Sequence, residues 1–198
     1  MTTVAAVVLA AGGGRRYGMP KALVELDGSL LVERAVRTAR AVCDPVLVVL
    51  GAQAVEVWQR ADLDGATVLA NRDWETGMAS SLRTGLDGLR GWPGVAGRAG
   101  GIDAAMVTLV DMPGMTPEAL QRVAEMAAPD ALAVATYAGV RGHPVLLGRD
   151  HWTGVVETAT GDEGARRYLA AHDADVTEVD CTGLADPLDL DVPPPPEP

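Results

Sequence analysis

The chain has 198 residues, 48% of them hydrophobic, and a formal net charge of −11. That length and apolar content predict a single domain over 1–192 with a sizeable core, followed by a Pro-rich disordered tail over 193–198. The acidity, whose plain reading is solubility, argues against a nucleic-acid surface, and the absence of Phe leaves Val, Leu, Ala and Met to build the core.

Val4 to Ala11, VAAVVLAA, reads as a strand buried on both faces in the middle of a parallel sheet. It resembles a signal peptide only superficially. It lacks a basic leader and is too short to span a bilayer, so a cytoplasmic chain with no membrane partner is expected. The run stops at Gly12-Gly13-Gly14, where the backbone can approach a ligand closely. Arg15, Arg16 and Lys21 then set cations around a loop whose N–H groups are free. A strand end, free amides and fixed positive charge describe a phosphate site. Two familiar phosphate motifs fail here. A P-loop needs Lys directly after its last glycine, but Met19 and Pro20 separate Gly18 from Lys21. A dinucleotide fingerprint needs a glycine at Tyr17 and an acid after the next strand, where Val46 to Leu50 runs instead into Gly51-Ala52-Gln53.

Beyond Lys21, Ala22 to Asp27 is a short stretch turning at Asp27-Gly28-Ser29. A helix is predicted over Leu30 to Val42, a strand over Val46 to Leu50, a short helix over Ala54 to Ala61 and a strand over Thr67 to Ala70. This rhythm is that of a parallel α/β sheet. Asn71 to Leu82 ends a strand, breaks at Gly77 and puts Ser80 and Ser81 near the start of a helix running through Leu86 and Leu89. Free N–H groups there suit an anion or a polar ligand edge, while the hydroxyls also suit plain caps. Gly91 to Gly101 is a glycine-rich loop without discernible chemistry. The strand Ala104 to Val110 ends in Asp111-Met112-Pro113, at the sheet edge where α/β folds bind ligands. Asp111 could equally hold Mg²⁺ beside substrate phosphates or cap the turn before a helix over Pro117 to Ala128.

A strand over Ala131 to Tyr137 leads through Gly139 to Pro144 into a strand over Val145 to Leu147; a lone His such as His143 is more often structural than catalytic. Asp162 suits the N-cap of a helix over Glu163 to Ala171. Val176 to Val179 is the last strand, and the PPPPEP ending cannot be helical. Cys43 and Cys181 match no metal or redox spacing.

Leu9, Ala10, Ala11, Gly12, Arg16, Gly18 and Lys21 form L-A-A-G-x-x-x-R-x-G-x-x-K, which resembles the signature loop of the MobA-like nucleotidyltransferases. The resemblance implies a three-layer, Rossmann-like nucleotide-diphospho-sugar transferase fold, an α/β architecture with a mostly parallel sheet and helices on both faces. It implies that the loop, with Gly13 and Gly14, wraps a nucleoside triphosphate and sets Arg16 and Lys21 on its phosphates. Gly14 stands where many members carry Ser. Asn71 to Leu82 resembles the N-x-x-W-x-x-G-M-x-x-S-L segment of the molybdenum cofactor cytidylyltransferase-like (MocA-type) branch, which makes Asn71, Ser80 and Ser81 candidate base or ribose contacts. Asp111 occupies the place of the family's metal-binding aspartate and is assigned as the Mg²⁺ ligand. The G-H-P and G-D-x-G-A-R elements assign Arg141, His143 and Asp162 to the acceptor side. Asp189 to Pro193 is similar to a D-I-D-T-P element, with Val192 for Thr, and makes Asp191 a second metal ligand.

Taken together, the resemblance implies Mg²⁺-dependent transfer of CMP from CTP to the molybdenum-bearing pterin phosphate, with pyrophosphate released. CTP is favoured because guanylyl-transferring relatives tend to have Gly at the position of Ala11. Transient contact with a molybdoenzyme or its chaperone would follow. Two alternatives compete. One is an NAD(P)H-dependent oxidoreductase of the nicotine-blue branch, opposed by the failed dinucleotide fingerprint. The other is a non-catalytic binder of the pterin cofactor, opposed by the intact Lys21 and Asp111. The sequence contains no Ser or Cys with a partnered His.

Overall fold

The computed structural model of the chain describes residues 2–92 and 101–191. The Pro-rich tail and most of the glycine-rich stretch after Gly91 lie outside the described residues. The strands are β1 (Val4–Ala10), β2 (Glu25–Leu26), β3 (Ser29–Leu30), β4 (Val46–Leu50), β5 (Thr67–Ala70), β6 (Ala104–Leu109), β7 (Leu132–Tyr137), β8 (Val140–Gly148) and β9 (Val176–Asp180). The helices are α1 (Leu31–Arg40), α2 (Ala54–Arg60), α3 (Met78–Arg90), α4 (Pro117–Ala124), α5 (Trp152–Thr158) and α6 (Arg166–Ala171).

Seven strands form one sheet in the order β5-β4-β1-β6-β8-β7-β9, parallel except for β8, which pairs antiparallel with both neighbours. The strand period of two explains the layering. Ala6, Val8 and Ala10 point to one face, with Val36 of α1, Val57 of α2 and Leu120 of α4. Ala5, Val7 and Leu9 point to the other, with Leu86 of α3, Val155 of α5 and Leu169 of α6. Both faces of β1 are therefore dry, which is why its sequence is an unbroken apolar run. Each fully buried Val or Leu there contributes about 1.5–3 kcal/mol. The predicted three-layer α/β fold is the fold observed.

Asp27 and Gly28, both at positive φ, turn the β2–β3 hairpin that carries the chain into α1. Gly85 decides how α3 sits. A Cβ there would lie 2.4 Å from Val7 Cγ1, so its absence lets the helix close onto β1 and brings the first turn of α3 to the end of that strand.

Four boundaries differ from expectation. The helix after Pro117 ends at Ala124, where Glu125 caps it, instead of reaching Ala128. The last helix begins at Arg166, because Gly161 and Gly164 both take positive φ and keep the preceding residues in turns. Trp152 to Thr158, which carries no clear signal in the sequence, is helical and anchored by the buried Trp152, whose indole N–H donates to the Leu147 carbonyl at 2.8 Å. Finally, Val140 to Pro144, expected as a loop, forms the first half of β8. Ala138 and Gly139 turn the chain at positive φ, and pairing of Tyr137 with Val140 and Thr136 with Arg141 overrides the weak strand propensity of the Gly142-His143-Pro144 stretch. Because β8 runs antiparallel, this half lies at the same sheet edge as the ends of β1 and β6.

Among the described residues no helix is long and apolar enough to cross a membrane. Both cysteines are free and buried, and burial pushes the Cys43 thiol up to about 12.

Candidate active site

The register Leu9 to Leu109 sets the ends of β1 and β6 side by side. The glycine loop after β1 and Asp111 after β6 therefore meet at one point. Lys21, on the short helical turn closing the loop, donates to Asp111 Oδ2 at 2.7 Å and to Asp191 Oδ1 at 2.7 Å. Arg16 donates to the other oxygen of Asp191 at 2.8 Å. Asp191 reaches this point because its segment is pinned by backbone bonds, Leu190 N–H to the Asp111 carbonyl at 2.8 Å and Asp186 N–H to the Gly114 carbonyl at 3.1 Å. No helix after Asp191 is needed to hold it there.

The electrostatics derive from this packing. Burial lowers the Lys21 pKa, but hydrogen bonds and charge from Asp111 and Asp191 outweigh it, so the pKa stands raised and the ammonium stays charged. The hydrogen bond from Lys21, then its charge, holds Asp191 below the usual carboxylate range. Burial, then the Asp111 charge, raises Asp189. Asp111 Oδ1 is buried without a hydrogen-bond partner. Such an orphan acceptor is costly unless something positive completes it. Lys21 thus already acts as a stand-in cation between two carboxylates, and the unpaired oxygen of Asp111 leaves room for a better one. Two carboxylates with substrate phosphates are the usual donor set for Mg²⁺. The residues present fit that ion.

The glycine loop is the second half of the site. Among the described residues, no protein acceptor takes the backbone N–H of Gly12, Gly13, Gly14, Arg15 or Arg16. Gly14 sits at φ +60 with its Cβ position 1.8 Å from the Met19 carbonyl oxygen, so only glycine closes the loop. Gly12 is different. A Cβ there would meet nothing within 4 Å, so the protein itself does not require a glycine and the space beside it is open.

These groups line a cavity of about 370 Å³ together with Trp74, Glu75, Met78 and Ser81. Of the expected nucleotide contacts, Leu9, Ala11, Gly12, Gly13, Gly14, Arg16, Lys21 and Ser81 line it, as do Asp111 and Asp191. Ala10 does not; its side chain is in the core on the α1 face. Asn71 and Ser80 do not either. Asn71 donates to Ser80 Oγ at 2.8 Å and Ser81 Oγ at 3.0 Å and accepts from Asp73 N–H at 2.9 Å, while the Ser80 hydroxyl lies within reach of the Asp73 and Gly77 carbonyls. Their polar atoms are engaged with one another.

A second cavity of about 870 Å³ shares Leu9, Met78, Leu109 and Asp162 with the first. Arg141, His143 and Asp162, which the sequence assigns together, all line it. Their roles shift in detail. Arg141 is engaged by Glu178 at 2.8 Å and Asp173 at 2.7 Å, so its charge is already compensated. His143 is half-buried, its Nδ1 3.4 Å from the Val107 carbonyl, and desolvation of the ring lowers its pKa. Asp162 does not cap α6. Its Oδ1 accepts from Met78 N–H at 3.2 Å and so caps α3. Two lining residues carry no assignment from sequence reasoning. Arg166 ends the G-D-x-G-A-R element and lines this cavity with no carboxylate in ion-pair range among the described residues. Trp74 stands inside the N-x-x-W element and lines the first cavity. The signal in each case is the residue type itself, a cation or a large ring at a fixed place in a motif.

Comparison with known proteins agrees with this geometry. Residues 6–176 match the MobA-like NTP transferase domain. The nicotine blue oxidoreductase of Paenarthrobacter nicotinovorans is 34% identical over 95% of this chain and 92% of its own length. The molybdenum cofactor guanylyltransferase of Rhodobacter capsulatus is 27% identical over 94% of this chain and 85% of its own. Among solved structures, Rv0371c from Mycobacterium tuberculosis H37Rv superposes with a TM-score of 0.82 at 30% identity, covering 96% of this chain and 93% of that one. Its manganese complex gives 0.76 at 27% identity, with the same coverage of 96% and 93%. The glycine loop, the paired carboxylates and the sheet order thus stand in a chain that belongs to the MobA-like NTP transferase family, with the Rossmann-like fold of nucleotide-diphospho-sugar transferases.

Proposed function

We propose that the protein is a Mg²⁺-dependent nucleotidyltransferase that moves CMP from CTP to a phosphorylated acceptor, the molybdenum-bearing pterin cofactor, and releases pyrophosphate. The observation that carries this reading is the cluster of Lys21, Asp111 and Asp191 facing a glycine loop with unpaired N–H groups. Asp111 and Asp191 would hold the Mg²⁺, which when bound neutralises charge on the triphosphate oxygens. The loop amides, Arg16 and Lys21 bind the triphosphate and absorb the charge that builds toward pyrophosphate. An acceptor phosphate oxygen forms the new bond to the α-phosphorus, and the bond to the β-phosphate bridging oxygen breaks, its electron pair leaving with pyrophosphate. A phosphate acceptor is already deprotonated at neutral pH, so no general base is required. This fits a second cavity whose lining histidine, His143, has its pKa lowered by desolvation.

CTP is favoured over GTP because Ala11, which lines the cavity, stands where guanylyl-transferring relatives tend to have Gly. Support for a divalent ion comes from the manganese complex of Rv0371c. The second reading, an NAD(P)H-dependent oxidoreductase, is favoured by one observation, the 34% identity to nicotine blue oxidoreductase.

A thermal-shift panel of CTP, GTP, NADH and NADPH, each with and without Mg²⁺, separates the two. A ligand that binds only the native state raises its apparent stability. Stabilisation by CTP that needs Mg²⁺ supports transfer. Stabilisation by a reduced nicotinamide alone, indifferent to Mg²⁺, overturns it in favour of the oxidoreductase.

A further inference from the structure

The lining of the first cavity divides by chemistry. The β1 loop, the end of β6 and the C-terminal segment contribute Arg15, Arg16, Lys21, Asp111 and Asp191, whereas the stretch from Trp74 to Ser81 contributes an indole, a thioether, a hydroxyl and one carboxylate, but no cation. The indole is held firmly. A Cβ on Gly51, which comes directly after β4, would lie 2.5 Å from Trp74 Cβ, and one on Gly13 would lie 3.0 Å from the ring carbon Cζ3. Two glycines therefore make room for one half-buried ring, and the second of them belongs to the phosphate loop itself. The backbone of that turn is fixed from beneath by the bonds among Asn71, Asp73, Ser80 and Ser81.

We infer that Trp74 is the platform on which the base of the bound nucleotide stacks, and that the buried Asn71–Ser80–Ser81 cluster exists to hold that platform against the glycine loop. A triphosphate seated on the amides of Gly12 to Arg16 runs past Gly13, which touches the indole edge, so an aromatic base attached to it meets the ring. Tyr17 is the other aromatic lining this cavity, but it lies within the phosphate loop beside Arg16. The assignment rests on the nucleotidyltransferase reading and names one subsite within it.

The test measures binding of Mg²⁺–CTP and of Mg²⁺–tripolyphosphate, which has no base, to the wild type, Trp74→Phe and Trp74→Leu by titration calorimetry. Stacking on an aromatic ring is expected to make Trp74→Leu bind CTP about tenfold more weakly, with tripolyphosphate unchanged and Trp74→Phe close to wild type. Equal weakening of both ligands in Trp74→Leu, or no weakening of either, overturns the platform and leaves the transferase reading standing. A wild type that binds neither ligand overturns both. Trp74→Phe keeps a ring in the same slot and so keeps the comparison available should Trp74→Leu fail to fold.

Discussion

The two cavities share a wall at Leu9, Met78 and Leu109 yet differ in the rest of their lining. In the first, charge meets charge at bonding distance: Lys21 and Arg16 are tied to Asp111 and Asp191, and bare backbone amides surround them. The second is lined by Val107, Val134, Val145 and Leu169 together with charged groups such as Arg141, Asp162 and Arg166. The first is organised before any ligand arrives, which is what electrostatic stabilisation of a transferring phosphoryl group requires. The second offers space and shape, which is what holding an acceptor requires. In the proposed reaction the first cavity would supply catalysis and the second positioning.

The largest expected effect comes from removing the cation that holds the charged side together. Lys21→Met should lower the transfer rate by about 10²–10³-fold, the range found when a preorganised charge-stabilising donor is removed. It should also lower Tm in metal-free buffer, because Asp111 then faces Asp191 without the ammonium between them and only Arg16 remains on Asp191, and added Mn²⁺ should raise Tm more in the variant than in the wild type. Rate assays and melting curves check both halves.

A pair of loop variants sharpens the distinction between glycines that serve the fold and those that serve the ligand. Gly12→Ala adds a methyl that meets no protein atom, so Tm should hold while triphosphate affinity falls about tenfold or more. Gly14→Ala puts its Cβ into the Met19 carbonyl at a positive φ, and should destabilise the protein by about 1–3 kcal/mol or more. Melting curves and calorimetry on both proteins give the comparison.

On the acceptor side the contrast is between two arginines. Arg166→Ala should raise the acceptor KM about tenfold, a value appropriate to one charge-assisted hydrogen bond, without changing the nucleotide KM. Arg141→Ala should do less, since its guanidinium is already held by Asp173 and Glu178. Steady-state kinetics with each substrate varied in turn would reveal the reverse order if Arg141 were the phosphate clamp.

The smallest effect is in pH. Burial lowers the His143 pKa, so below pH 7 the unfolded chain takes up the proton first. Stability from this group is fully present above the unfolded pKa of about 6.5 and is lost as pH falls below it. Tm measured between pH 7.5 and 5 should decline, and His143→Asn should flatten part of that slope.

Much of the fold is legible in the sequence because the central strands are dry on both faces: β1, β4 and β6 read directly as apolar runs between turn residues. The first half of β8 is not legible. Gly142, His143 and Pro144 carry little strand propensity, and they lie in an irregularity of β8 between the pairs Thr136–Arg141 and Val134–Val145. The phosphate loop is readable from its glycines and cations, and Asp111 from its place after a central strand. Asp191 lies far beyond Asp111 in the chain, and its approach depends on backbone bonds to Asp111 and Gly114 that no local pattern announces. Asn71 shows the opposite limit. Its motif points to a ligand contact, but whether its amide faces the cavity or the serines beneath is decided by packing in three dimensions.

The most direct test of the charged centre is pyrophosphate release from CTP in the presence of Mg²⁺ and the phosphorylated pterin, with wild type and Asp111→Asn compared. Acceptor-dependent release by the wild type is expected, with a loss of about 10²–10³-fold in the variant and the fold intact by circular dichroism. No release by the wild type from any nucleoside triphosphate, alongside NADPH oxidation that Asp111→Asn leaves untouched, would contradict a transferase centre built on Asp111.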